Sequence, residues 1–150
     1  MRILSSLKIY AAFFSLLILV GACELIDEDT KVYTESPKNI VGNWKIVKAY
    51  RNDVEITQLM DFSKFRINFQ ENNSYTIENY IPFLVDGEGE WSLDDPQYPF
   101  HISFNVENET EPLVTELNYP IVDGQRQIGL TFSPGCKNNS YSYILEEASN

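Results

Sequence analysis

Phe100-His101-Ile102-Ser103-Phe104-Asn105-Val106-Glu107 alternates apolar and polar side chains without a break. Successive side chains of a β-strand point to opposite faces, so this run describes a strand with one face buried and one in water. A helix would put residues two apart on opposite sides and scatter the apolar set. The same period of two recurs on both sides. Toward the N-terminus, Gly89, Trp91 and Leu93 alternate with Glu90 and Ser92, Tyr75 and Ile77 with Thr76 and Glu78, and Phe65, Ile67 and Phe69 with Arg66, Asn68 and Gln70. Residues 43 to 51 make an earlier strand and residues 53 to 57 allow a short one. Toward the C-terminus follow Leu113, Leu117, Tyr119 and Ile121, then Ile128, Leu130 and Phe132, then Tyr141, Tyr143 and Leu145. The chain thus offers eight or nine strands.

Turn residues separate these runs: Asn72-Asn73, Asp94-Asp95-Pro96, Asn108-Glu109, Asp123-Gly124, Pro134-Gly135 and Asn138-Asn139. Asp123-Gly124 is a strong tight-hairpin signal, because both central residues tolerate positive φ. Short turns between strands spaced by about ten residues predict an antiparallel meander. One apolar face per strand needs a common interior, and closure into a barrel also removes exposed edges. The expected fold is all-β, an antiparallel up-and-down β-barrel of about eight strands.

Two stretches break the rhythm. Thr57-Gln58-Leu59-Met60-Asp61-Phe62-Ser63 reads as a single helical turn or a loop over a barrel mouth. Tyr80-Ile81-Pro82-Phe83-Leu84-Val85 is a second apolar loop before Asp86-Gly87. Both fit lids on a pocket, and both fit a cap that keeps water from the core. Leu59, Met60, Phe62, Phe83 and Leu84, with the inward Trp91, are the candidate pocket or lid residues. The inward set also holds Phe65, Phe69, Phe100, Phe104, Phe132, Tyr141 and Tyr143. Eight strands enclose a space that side chains alone can fill, so these rings leave little volume for a ligand.

Residues 1–22 have the three parts of an export signal: Arg2 and Lys8, the apolar run from Ile9 to Val20, and the small pair Gly21-Ala22. The apolar run falls short of the about 20 residues of a membrane span. Leu19-Val20-Gly21-Ala22-Cys23 resembles a bacterial lipobox, which implies cleavage before Cys23 and lipid on its thiol. Several acyl chains make such an anchor stable where one is marginal. Residues 23–39, with Asp27-Glu28-Asp29 and Pro37, read as a lipidated tether, and 40–148 as the barrel domain. Glu24 and the acidic tract point to the outer membrane, with the cell surface preferred to the periplasmic face. Processing removes Arg2 and Lys8 and no acid, leaving 9 Lys+Arg against 22 Asp+Glu. So acidic a surface repels phosphate backbones, and nucleic acid is excluded as a partner.

Gly42-Asn43-Trp44 opens the first strand with Gly-x-Trp. With Phe65-Arg66-Ile67-Asn68-Phe69, Ser74-Tyr75-Thr76-Ile77 and Gly89-Glu90-Trp91-Ser92-Leu93, it resembles the lipocalin-like domains of small Gram-negative lipoproteins of unassigned function. The resemblance covers about residues 40 to 147 and implies that Trp44 plugs one end of the barrel. The domain is shorter than a typical lipocalin and lacks the paired disulfide cysteines. Arg126 is the only candidate for the late arginine that packs over the tryptophan.

No nucleophile elbow, phosphate loop or His/Cys metal spacing is present. His101, the sole histidine, falls on the polar face of its strand. Asp86, Glu88, Asp94 and Asp95 could supply some of the about six oxygens a calcium ion needs, but the calcium-loop spacing is missing. Cys136 reads as a packed apolar residue, a reactive thiol or an intermolecular disulfide. No catalytic residue, metal or cofactor is expected, and the chain is not expected to be an enzyme. Besides the membrane, two partners fit: a small, partly apolar molecule or surface glycan or peptide bound by the domain, or an envelope protein docked on a fully packed barrel. Tyr33, Tyr80 and Tyr98 are candidate anchors for the second.

Overall fold

The structure is a computed structural model that describes residues 34–81, 84–135 and 138–148. The signal peptide, Cys23, Tyr33, Phe83 and Cys136 lie outside the described residues. Residues from Glu35 onward form one compact unit.

Ten strands follow in chain order: β1 Gly42–Arg51, β2 Val54–Glu55, β3 Arg66–Phe69, β4 Ser74–Glu78, β5 Gly89–Leu93, β6 His101–Val106, β7 Leu113–Asn118, β8 Ile121–Val122, β9 Gln125–Phe132 and β10 Tyr141–Glu147. Eight of them pair antiparallel in the circular order β1-β3-β4-β5-β6-β7-β9-β10, and β10 closes the ring on β1. The barrel expected from the alternation is therefore present. The other two strands are two-residue ribbons, β2 on β1 and β8 on β9. No helix occurs among the described residues, and residues 57–64 form a loop with turns at 57–59 and 63–64.

Local chemistry explains the connections. Asn52-Asp53 and Asp123-Gly124 join β1 to β2 and β8 to β9 with two residues at positive φ each, the geometry whose twist matches the flanking strands. Asn73 and Asn108 supply the left-handed position in two more turns. In β1 the pairing with β10 slips between Ile46 and Lys48. This bulge at Val47 resets the alternation, so that Trp44, Ile46 and Ala49 are all buried.

Strand directions place the connections at two ends. Residues 52–65, 79–81, 84–88, 107–112, 133–135 and 138–140 lie at one end, here called the loop end. The turns 70–73 and 94–100, the 119–124 segment and the entry of β1 make the other, the Trp44 end. The core holds Phe65, Phe69, Tyr75, Phe104 and Tyr143, all almost fully buried. Their rings meet in sequence. Tyr75 stands edge-on to Phe104 at 5.1 Å, Phe69 edge-on to Trp91 at 5.5 Å, and Phe132 bridges Phe104 and Tyr143 at 6.4 Å to each. Such pairs add about 0.5–1.5 kcal/mol each beyond burial.

Two expectations need correction. Phe100 is 70% exposed and does not face the core. It precedes β6, and its amide is held in the preceding turn by Asp94 at 3.0 Å. Ile121, read as the last apolar position of one strand with Leu113, Leu117 and Tyr119, is instead exposed on the separate ribbon β8, outside the barrel wall. On β7 the inward positions are instead Thr115 and Leu117, with Leu113 at the rim.

Candidate functional site

Trp44 is buried beneath the entering chain, and its indole N–H donates to the Ile40 carbonyl at 2.9 Å. Arg126 lies 4.2 Å over the Tyr119 ring and donates to the Tyr119 carbonyl. Of the candidate pocket residues, Phe62, Leu84 and Trp91 are buried, while Leu59 and Met60 point into solvent. The loops that carry Phe62 and Leu84 share the loop end, as a lid or a cap requires. Phe62 meets Tyr143 edge-on at 6.2 Å, so it extends the chain of packed rings. Trp91 belongs to the interior beside Phe69, away from both loops. Buried aromatic side chains in mutual contact thus occupy the interior where a lipocalin-like reading would seek a ligand.

Two polar atoms in this interior have no hydrogen-bond partner among the described residues, the Tyr75 hydroxyl and the Trp91 indole nitrogen. They project from β4 and β5, the most weakly paired neighbours in the barrel. Burial raises the Tyr75 hydroxyl above its ordinary pKa and pushes Tyr143 up to about 12. Both stay neutral at physiological pH.

Outside the core, one cleft combines apolar walls with convergent polar groups. Its geometry follows from the ladder. β7 pairs with β9 only from Glu116↔Thr131 to Asn118↔Gly129. Beyond that point Leu113, Val114 and Thr115 stay with β6, and Phe132 stays with β10. The two strands part and leave a groove of about 390 Å³. Thr115, buried, donates its hydroxyl to the Thr131 carbonyl and fixes the fork. Leu84 from the loop end reaches the groove, whose walls are Leu113, Val114, Phe132 and Pro134 with Glu116 and Ser133. Grooves of this size with few polar groups suit small molecules or short chain segments. A larger cleft, about 620 Å³, lies by the β8–β9 hairpin among Lys45, Arg126, Glu146 and Glu147. Two of its four charged side chains are already engaged: Arg126 holds Tyr119, and Glu146 accepts from Gln127 at 2.9 Å. The smaller groove is the better candidate.

The sequence reading missed this groove. Leu113-Val114 was the available signal, because two adjacent apolar residues in an alternating strand leave one on the outer face. His101 also has a partner that alternation could not show. Its Nδ1 lies 2.9 Å from Asp94, whose carboxylate accepts the backbone N–H groups of Asp95, Phe100 and His101. The bonds from His101, backbone first and ring second, hold the Asp94 carboxyl well below the usual carboxylate range. This cluster clasps an exposed turn. Among the described residues, no group of three or more His, Cys, Asp or Glu is placed to hold a metal ion.

A family model described as a domain of unknown function, DUF5004, matches residues 20–146. Neither the curated proteins nor the solved structures give a match.

Proposed function

We propose that this chain, which belongs to the DUF5004 family, is a lipid-anchored, non-enzymatic binding module whose β-barrel recognises its ligand on the outside. The observation that carries the reading is the pair of facts at β7 and β9. Packed rings occupy the interior, and the wall forks into an apolar-sided groove. The occupant is a small, partly apolar molecule or a short peptide or glycan segment of the envelope. A peptide suits the fork best, since it can lie extended along strands whose mutual pairing has ended. The lipobox-like Leu19 to Cys23 stretch supports export, acylation at Cys23 and residence at the outer membrane, with the cell surface as the preferred face.

Titration of isotope-labelled protein with amphiphilic small molecules, peptides and envelope glycans tests the reading. Amide shifts confined to Val114, Glu116, Thr131 and Ser133, abolished by Val114→Arg, are the expected result. Shifts centred on Phe104 and Tyr75 would transfer the site to the interior and refute it. A second reading, an accessory protein docked on an envelope partner, draws on the filled core and exposed Tyr80 and Tyr98. A stoichiometric protein partner in gently solubilised membranes, retained by Val114→Arg and lost on Tyr80→Ala or Tyr98→Ala, would favour it.

A further inference from the structure

Four large apolar side chains stand exposed on two connections at the Trp44 end. Tyr98 and Phe100, 56% and 70% exposed, lie in the β5–β6 connection. Ile121 and Val122, 62% and 41% exposed, lie in the segment between β7 and β9. The two connections adjoin. Leu117 donates its N–H to the Phe100 carbonyl at 2.8 Å, and Phe100 shares a shallow cleft with Asn118. Isolated exposed apolar residues need no explanation, but grouped ones do.

The incoming chain is fastened to both connections. The Lys38 N–H donates to the Pro96 carbonyl, two residues before Tyr98. The Tyr119 hydroxyl donates to the Asn39 carbonyl, two residues before Ile121. Residues 38 and 39 therefore arrive between the two apolar loops. From Cys23 to Lys38 is a stretch of 15 residues, which in any conformation spans at most about 50 Å. Whatever anchors Cys23 lies within that distance of the point where the chain enters the barrel. The exposed apolar residues at the loop end, Leu59 and Met60 among them, are on the far side of the barrel from that entry.

We infer that the Trp44 end is a membrane-facing surface, with Tyr98, Phe100, Ile121 and Val122 seated at the boundary between lipid headgroups and acyl chains. The inference rests on the lipid-anchor reading. Aromatic and aliphatic side chains of this kind favour that layer. Asp94, Asp95 and Asp123 on the same loops oppose an anionic surface, so the lipid it fits is zwitterionic. The geometry also gives the groove a direction. β7 and β9 part toward the loop end, and the binding site then faces away from the bilayer.

The full chain, expressed with its signal, purified from membranes and reconstituted into phosphatidylcholine–phosphatidylethanolamine vesicles with brominated acyl chains, tests this. Flotation, compared with Cys23→Ser, reads the anchor. Quenching of tryptophan emission reads the contact in Phe100→Trp and Ile121→Trp, against Leu59→Trp and the background of Trp44 and Trp91. The expected result is flotation with quenching several-fold stronger at positions 100 and 121 than at 59. Flotation with no added quenching at 100 and 121, or with equal quenching at 59, overturns the membrane-facing surface and leaves the anchor standing. Failure to float overturns the anchor, and the orientation built on it falls as well. Protection of positions 100 and 121 by a co-purifying protein, without quenching by lipid, also overturns it.

Discussion

The wall of the barrel is uneven. On one side, β1, β10 and β9 are joined by long ladders, from Trp44↔Glu147 to Arg51↔Tyr141 and from Gln127↔Glu146 to Phe132↔Tyr141. On the other, β4 and β5 share only Ser74↔Glu90 and Tyr75↔Gly89, helped by one bond from the Trp91 N–H to the Asn73 carbonyl. The unpartnered Tyr75 hydroxyl and Trp91 nitrogen project from this thin seam. The two sides achieve closure by different means. The β9–β10–β1 side relies on backbone bonds, reinforced by Thr131 with Ser142 and Gln127 with Glu146. The β4–β5 side relies on ring packing around Phe104 and on a glycine that lets two backbones touch.

Amide exchange should expose the difference most plainly. Protection in β4 and β5 is expected to fall below that in β9 and β10 by on the order of a hundredfold, since local openings start where ladders are short. Uniform protection around the ring would erase the distinction. Next in size is a matched pair of substitutions. A Cβ on Gly89 would lie 1.9 Å from the Asn105 carbonyl oxygen, whereas one on Gly129 would first meet the Asn118 Cβ at 3.3 Å. Denaturant unfolding should show Gly89→Ala losing about 3 kcal/mol or more, beyond ordinary overpacking. Gly129→Ala should stay within about 1 kcal/mol, because lost chain freedom in the unfolded state offsets the crowding.

Tyr75→Phe should act in the opposite direction. Leaving a buried hydroxyl unpaired costs about 1–3 kcal/mol, so its removal is expected to stabilise by about 1 kcal/mol in the same assay. A loss instead would mean that the hydroxyl is satisfied. Smallest is Asp94→Asn, at the foot of the seam in the β5–β6 turn. The native carboxyl has a lowered folded-state pKa, so its contribution is complete above the ordinary aspartate pKa and disappears as pH falls below it. Melting curves should place Asp94→Asn slightly below the wild type at pH 7. The gap should close as pH drops into the acid range. A gap independent of pH would assign the loss to geometry rather than charge.

Much of the wall could be read from the chain, because Ile102, Phe104, Ile128, Leu130, Tyr143 and Leu145 bury the faces that alternation gave them. Phe100 misled because its parity was right but its strand starts one residue later, where Asp94 gathers the turn. Thr115 was overlooked because a threonine does not announce an inward position, and its hydroxyl is satisfied only by a carbonyl 16 residues away. The groove and the seam share a cause that no local pattern carries. Each depends on how far neighbouring strands run past one another, which is a property of the closed ring. Trp44 was singled out only through the lipocalin resemblance, and Leu59 and Met60 were not separable from Phe62 without knowing which way the loop turns.

The first and last strands of the ring are neighbours, and the Ala148 N–H bonds to the Asn43 carbonyl. The chain therefore enters and leaves the barrel at a single spot, at the Trp44 end. A short linker could weld entry to exit there, and fresh ends could be cut at Asn108-Glu109, on the opposite rim, with every strand keeping its neighbours. On the proposed lipid anchor, such a circularly permuted barrel would be entered from the other rim, and the groove would turn toward the bilayer.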